Sequence, residues 1–214
     1  MSKTNLPILS IETSGGLCST ALLISPEDYF EISISQRHVH SKKLLSLVDD
    51  LLLQAGLTLD EIKGIAVSMG PGSFTGLRIG LSSAKGLAFG SGLPLIPVPT
   101  FDALAYQILS MLNEEEFAVA NKVNTEEIYF AKYKCNLDGK PVESGKIKLI
   151  NKGELSQLTE DFKVFGDAAG NQFSSPNAWA VAKWAYLFGK DLVTSDYDLL
   201  EPTYLKEFKI KVKK

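Results

Sequence analysis

Residues that carry redox, metal or nucleophilic chemistry are scarce in this chain, which has two cysteines, two histidines and three methionines in 214 residues. Cys18 and Cys135 cannot build a disulfide framework, and without a Cys-x-x-Cys spacing they offer no zinc site. His38 and His40 stand two apart ahead of a helical pattern, so they share no helical face and are expected to be surface polar residues. A basic excess is missing too. Lys and Arg total 22 against 25 Asp and Glu, a formal net charge of -3, whereas a chain that holds nucleic acid by itself usually carries a positive balance. No apolar run approaches a membrane span. The first, Leu6 to Ile11, is cut short by Glu12 and is too brief for a signal-peptide core. The expectation is a soluble, cytoplasmic protein.

A real core is affordable, since 45% of residues are hydrophobic and 22% charged. That balance excludes disordered, collagenous and coiled-coil classes. The first third alternates cleanly: Leu6–Ile11, Cys18–Ile24 and Tyr29–Ser35 read as three strands joined by tight turns, an antiparallel meander. From Ser41, an expected N-cap, the period changes. Leu44, Leu45, Leu47, Val48, Leu51, Leu52 and Ala55 fall on one arc of about 160° at about 100° per residue, and Gly56 stops the helix. Lys63–Met69 is the next strand, and Gly70-Pro71-Gly72-Ser73 turns into a helix over Phe74–Phe89. A strand at Leu95–Val98 and a helix at Phe101–Leu112 follow.

The second half begins near Glu114. Phe117–Val123, Glu127–Tyr133, Val142–Ile150 and Val164-Phe165 read as strands, with a hairpin turn at Asp138-Gly139 and a helix over Pro176–Phe188. The order predicts an α/β fold with mixed sheets and loosely duplicated halves.

The second helix carries Gly76, Gly80, Gly86 and Gly90, each costing up to about 1 kcal/mol relative to Ala. Gly76, Gly80, Ser83, Leu87 and Gly90 share one face, so either the chain's own backbone or a second subunit approaches there.

Catalytic motifs are absent or degenerate. MGPGSFTGLRIG stands where a strand meets a helix, a place where phosphate can bind free N–H groups, yet it satisfies neither the Walker A nor the G-x-G-x-x-G pattern. A tight turn that needs glycine is the plainer account. Ser82-Ser83-Ala84-Lys85 matches S-x-x-K but lies in mid-helix with no K-T-G element. Asp49-Asp50 and Glu114 to Glu116 read as solvated runs. Two acidic turns remain, Glu12-Thr13-Ser14-Gly15 and Gly166-Asp167-Ala168-Ala169, one in each half. Together they could frame a nucleotide-metal cleft, although neither brings a phosphate-binding lysine.

The runs HSKKLLSLVDDLL and GIAVSMGPGSFTGLRIGLSSAKGLAFGSGLPLIPVPTFDALA closely resemble the TsaB (YeaZ) family, strongly over about residues 7–106. In the second half, Gly166-Asp167-Ala168-Ala169 resembles a G-D-G-A turn, and Pro202-Thr203-Tyr204-Leu205-Lys206 is like the family's terminal P-x-Y-L-R. The resemblance implies the actin/Hsp70-like (ASKHA) fold, with halves at 1–112 and 113–214. It implies a non-catalytic, activating subunit that pairs with the paralogue TsaD, with the ATPase TsaE as third member, to make threonylcarbamoyl-adenosine at position 37 of tRNAs reading codons that begin with A. Metal and ATP are then expected on TsaD, no cofactor on this chain, and tRNA is met through the complex. Two departures count against a working site here: Glu12 replaces the family's usual Asp, and Lys122-Val123-Asn124 replaces D-A-R.

Family members pair, with TsaD or with a second copy, through their first two helices. The implied interface is Leu44, Leu45, Val48 and Leu52 on the first, and Phe74, Gly76, Gly80, Ser83 and Leu87 on the second. Weak cofactor-binding candidates are Glu12, Thr13, Ser14, Gly166 and Asp167. Replacing Gly80 with Leu is expected to break the heterodimer and leave the monomer folded. The alternative reading is a self-contained ASKHA-type ATPase or phosphotransferase. The C-terminal YLKEFKIKVKK, with five lysines and one glutamate, is expected to be a solvated tail; contact with the tRNA backbone is the other account.

Overall fold

In the computed structural model, residues 3–36, 38–112, 114–136, 139–158, 163–171 and 173–205 are described. Asp138 of the expected hairpin turn and the tail from Lys206 onward lie outside them. The meander forms as expected from β1 (Ile8–Glu12), β2 (Cys18–Leu23) and β3 (Tyr29–Ile34). β1 and β2 are buried at every position, which is why Leu6–Ile11 reads as a run that is apolar but for Ser10 rather than as an alternation. Two strands parallel to β1 complete the sheet: β4 (Gly64–Ser68) against β1, and β5 (Leu95–Val98) against β4. The order is β3-β2-β1-β4-β5.

On one face lie α1 (His40–Ala55) and α2 (Phe74–Ser91). Leu44, Leu47, Val48 and Leu51 of α1 join Leu9, Ile11, Ile65, Val67 and α2's Leu81, Ala84 and Ala88 in one core. Gly56 ends α1 in the left-handed conformation at φ 66°, which glycine adopts without strain. Ser41 is not the N-cap: Val39 holds that position with no side-chain bond. His40 instead secures the entry, its Nε2 lying 3.2 Å from the Leu17 carbonyl.

The second sheet is an abbreviated copy. β6 (Glu116–Lys122) pairs antiparallel with β7 (Glu127–Cys135), as β1 does with β2. The expected strand 142–150 is two, β8 (Pro141–Glu143) and β9 (Lys148–Asn151), both returning to β7. The break between them includes Gly145 at φ 105°, a backbone state that ends a strand. A single turn, α4 (Leu155–Leu158), precedes β10 (Lys163–Phe165), which is parallel to β6 as β4 is to β1.

Two helices lie between the sheets. α3 (Thr100–Leu112) packs Phe101, Leu104, Ala105 and Ile108 on Phe117, Val119, Tyr129 and Tyr133 of the second sheet. α5 (Ala178–Phe188), late in the chain, packs Val181, Trp184 and Ala185 on Ile8, Ala66, Ile96 and Val98 of the first. Each sheet therefore takes its inner helix from the other half's side of the sequence. No described helix is long and apolar enough to cross a membrane.

Candidate functional site

The β1–β2 turn of the first half and the β6–β7 turn of the second face one another across a cleft of about 1120 Å³. Ser14, Gly15 and Gly16 line it from one side, Lys122, Asn124 and Glu127 from the other, and Gly72, Ser73, Phe74 and Leu205 close one end. Asn121 donates its Nδ2 to the Ser174 carbonyl at 2.9 Å, and a side chain on Gly15 would collide with Ser175. The 174–175 segment thus touches both turns.

Glu12, at the end of β1, is fully buried below this floor and does not line the cleft. Ser14 donates both its backbone N–H and its hydroxyl to Glu12 Oε1, each at 2.5 Å, and Ser68 at the end of β4 bonds Oε2. Loss of water outweighs these donors and raises the carboxyl to about 7. Burial and the Glu12 charge together raise the neighbouring Cys18 thiol. Thr13 is spent as well, its hydroxyl donating to the Gly76 carbonyl at 2.8 Å.

The start of α2 is equally committed. Ser73 donates its N–H to the Ser14 carbonyl at 2.7 Å, and the Ser73 hydroxyl accepts from Gly76 N–H at 3.2 Å. Two of the N–H groups that would greet an anion are therefore used internally. Side chains at Gly72, Gly76 and Gly80 would strike Ser14 or Thr13, so these glycines let α2 lie directly on the β1–β2 turn.

In the second half, Asp167 Oδ1 accepts from Lys122 N–H at 2.7 Å, and Asp167 N–H donates to Asn121 Oδ1 at 3.1 Å. Asp167 ties β10 to the β6–β7 turn. Gly166, at φ 125°, has no room for a side chain beside Ala120. The two acidic turns are not topological equivalents: Asp167 follows β10, the counterpart of β4, and the counterpart of Glu12 is Lys122. Of the five weak cofactor candidates only Ser14 and Asp167 reach the cleft; Glu12, Thr13 and Gly166 hold its walls. Among the described residues no group of three or more His, Cys, Asp or Glu is placed to hold a metal. With Glu12 buried and Asp167 engaged, these residues do not fit a metal-nucleotide pair.

The expected interface residues divide. Leu44, Val48, Gly76 and Gly80 are buried inside the chain and cannot meet a partner. Leu45 is 53% exposed, while Leu52, Phe74, Ser83 and Leu87 are half-buried. Sequence reasoning missed the stronger outward features, Leu53 at 75% and Phe89 at 80% exposure, and left Gly86 off the stripe; at Gly86, as at Gly90 of the stripe, an added side chain would enter open space.

The family pattern described as TsaD, tRNA N6-adenosine threonylcarbamoyltransferase, matches residues 31–138. The tRNA threonylcarbamoyladenosine biosynthesis protein TsaB of Haemophilus influenzae is 32% identical over 210 residues, covering 95% of this chain and 84% of that protein. The chain belongs to the TsaB family. TsaB of Escherichia coli is 34% identical over 132 residues, 62% of this chain and 57% of its own length. A Pseudomonas aeruginosa crystal structure, of a protein described as similar to the peptidase YeaZ, superposes with TM-score 0.81 at 25% identity, covering 96% of this chain and all of that one. The two mixed sheets with exchanged inner helices are accordingly an ASKHA-like α/β fold, and the halves of this TsaB-family chain share one plan at two levels of completeness.

Proposed function

We propose that this chain is a non-catalytic, activating subunit for threonylcarbamoyl transfer to adenosine 37 of tRNAs reading codons that begin with A, and that it pairs with TsaD through the outward faces of α1 and α2. The observation that carries the pairing is the open space around Gly86 and Gly90. A glycine inside a helix costs about 1 kcal/mol relative to Ala, and here no described residue packs close enough to offset it. A second backbone laid along Ser82, Gly86 and Gly90 supplies the contact, with Phe89, Leu45 and Leu53 as apolar flanks. The TsaD pattern extends over both helices, so a TsaD chain would present a like pair to this one. Without TsaD the same face serves a second copy of this chain, and TsaE joins as third member.

The non-catalytic part rests on the two turns beside the cleft: Glu12 and the Ser73 and Gly76 N–H groups are bonded within the first half, and Asp167 is bonded to Lys122 and Asn121 within the second. ATP and metal then belong to TsaD. Mixing the chain with its cognate TsaD, light scattering should give a one-to-one complex, and tRNA modification should require this chain while the chain alone hydrolyses no ATP. Absence of a complex, together with ATP turnover by the isolated chain, would replace this reading with a self-contained phosphotransferase.

A further inference from the structure

The outward face of α1 and α2 carries its charges in an order that the helices themselves do not favour. A helix dipole prefers acids in the first turn and bases in the last, and neither helix has either. Lys42 and Lys43 instead stand in the first turn of α1 and Arg78 in the second turn of α2, while Asp49 and Asp50 lie past the middle of α1; all five are exposed. β3 is antiparallel to β2, β2 is antiparallel to β1, and β4 is parallel to β1, so β3 and β4 run the same way. α1 joins β3 to β4, and α2 joins β4 to the parallel β5. Both helices therefore run back over one face of the sheet in the same direction, with their cationic ends together.

The other end of the face is acidic. The single turn Tyr197–Leu199 is held against the end of α2, where the Tyr197 hydroxyl donates to the Leu93 carbonyl at 2.6 Å and its ring meets Phe89 edge-on at 6.5 Å. This brings the exposed Asp196 and Asp198 to the C-terminal end of α2, with Leu199, 81% exposed, between the acids and solvent-facing Phe89 as an apolar flank. At the cationic end the Arg78 guanidinium is fixed in place. It lies 4.0 Å from the centre of the Phe74 ring and donates its Nε–H to the Tyr204 hydroxyl at 3.1 Å, which lowers the entropy cost of pairing it with a carboxylate. The ion pairs among the described residues are Lys134–Glu116 and Lys163–Glu114, so none of the charges at either end is paired there.

Two copies can meet on this face about a two-fold axis in two ways. With α2 and its counterpart parallel, Arg78 meets Arg78 and one acidic turn meets the other. With the two antiparallel and crossing at the Ser82–Gly86 stretch, Arg78 of each copy stands opposite Gly90 of the other. There the second copy supplies Asp196 and Asp198, and its helix C-terminus adds a partial negative charge. Lys85, half-buried midway along α2, meets the middle of the other helix in both arrangements and separates neither. Like charges set together suppress the wrong arrangement, and opposite charges fix the register.

We propose that this face takes a second copy of this chain in the antiparallel register, with Arg78 of each copy clamped on Asp196 and Asp198 of the other. It rests on the α1–α2 pairing face proposed above, used here in the absence of TsaD.

The test compares the full chain with two variants, Arg78→Glu and the double change Asp196→Lys with Asp198→Lys. Light scattering over a concentration series reads self-association of each chain and of the two variants mixed, and thermal melts establish that each is folded. The wild-type chain should dimerise, and its dimer should weaken about tenfold between about 0.05 and about 0.5 M salt. Each variant alone should lose about tenfold or more in self-affinity, because both clamps of its dimer now set like charges together. An equimolar mixture of the two should recover the loss, since in the mixed pair both clamps are again of opposite sign. If Arg78→Glu melts early, Arg78→Gln takes its place, and the same order of affinities is expected with smaller differences. Variants that dimerise as well as the wild-type chain, and a mixture tighter than either, indicate the parallel arrangement and overturn the register. Loss of both dimers without recovery on mixing overturns it too. A wild-type chain that stays monomeric throughout the series, yet pairs with TsaD, overturns the assignment and leaves the pairing with TsaD standing. Recovery on mixing, by chains that do not bind TsaD, leaves the assignment standing and removes that pairing.

Discussion

Glu12 shows what a single buried carboxyl does to the energetics of the first sheet. Burial holds its carboxyl near 7 in the folded chain, against an ordinary value of 4.5. Between those values the folded state binds a proton that the unfolded state has released, so stability falls as pH rises through this window. The full swing is about 3 kcal/mol. Burial also raises Glu31, Asp102 and Glu143, which slope the same way, so the informative quantity is a difference between chains. In Glu12→Gln the amide oxygen still accepts from Ser14, and the Ser68 hydroxyl can turn to accept from the amide nitrogen. Urea melts at pH 4.5, 6 and 8 should show the variant gaining on the wild-type chain by about 3 kcal/mol across the series. A difference that does not change with pH would mean that Glu12 is ionised and solvated in the folded chain. Its acidic turn was legible in the sequence. Its burial was not, because that depends on α2 lying across the turn, and no local pattern specifies which face of a glycine-rich helix meets the sheet.

That ambiguity belongs to the element scale, and α2 displays it in full. Spacing places Gly76, Gly80, Ser83, Leu87 and Gly90 on one face, but the structure cuts through it: Gly76 and Gly80 lie on Thr13, while Gly90, with Gly86, faces outward. The strands and helices of residues 8–112 were legible to within a residue or two, because apolar periodicity and glycine stops agree there. The strand expected over 142–150 was misread because β8 and β9 are short, half-exposed pieces, β8 closing a local hairpin on the end of β7 and β9 returning to the start of β7 after the Gly145 break. For α2 the corrected geometry gives substitutions of opposite sign. Gly80→Leu forces a side chain into Thr13 and should destabilise the isolated monomer by about 1–3 kcal/mol or more, contrary to the expectation that it would stay folded. Gly86→Leu meets no neighbour and should stabilise the monomer by about 0.5–1 kcal/mol through helix propensity, yet weaken association with TsaD at least tenfold. Thermal melts and light scattering on the same two proteins check both halves. A Gly86→Leu chain that pairs normally would remove this face from the interface.

At the scale of the whole molecule, the division at residue 112 is a division of sequence through shared packing. α5 places Val181, Trp184 and Ala185 on the inner face of the first sheet. The Ser10 hydroxyl donates to the Ala178 carbonyl at 2.7 Å, and Ala178 N–H donates to the Ser19 hydroxyl at 3.1 Å. A fragment ending at residue 112 loses those partners and uncovers Ile8, Ala66, Ile96 and Val98. Burial of a large apolar side chain is worth about 1.5–3 kcal/mol, so uncovering three of them, Ile8, Ile96 and Val98, is comparable with the net stability of a marginal domain, about 5–15 kcal/mol. Residues 1–112 alone should therefore show no cooperative melt, and in the full chain the two halves should unfold together. Both tryptophans, Trp179 and Trp184, lie on α5, so their fluorescence reports the docking of α5 on the first sheet, while far-ultraviolet circular dichroism reports both sheets and all helices. Coincident urea transitions by the two probes are expected. A cooperatively folded 1–112 monomer, or a fluorescence transition that precedes the loss of circular dichroism, would show that α5 is an accessory to the first sheet and that the halves are energetically separate.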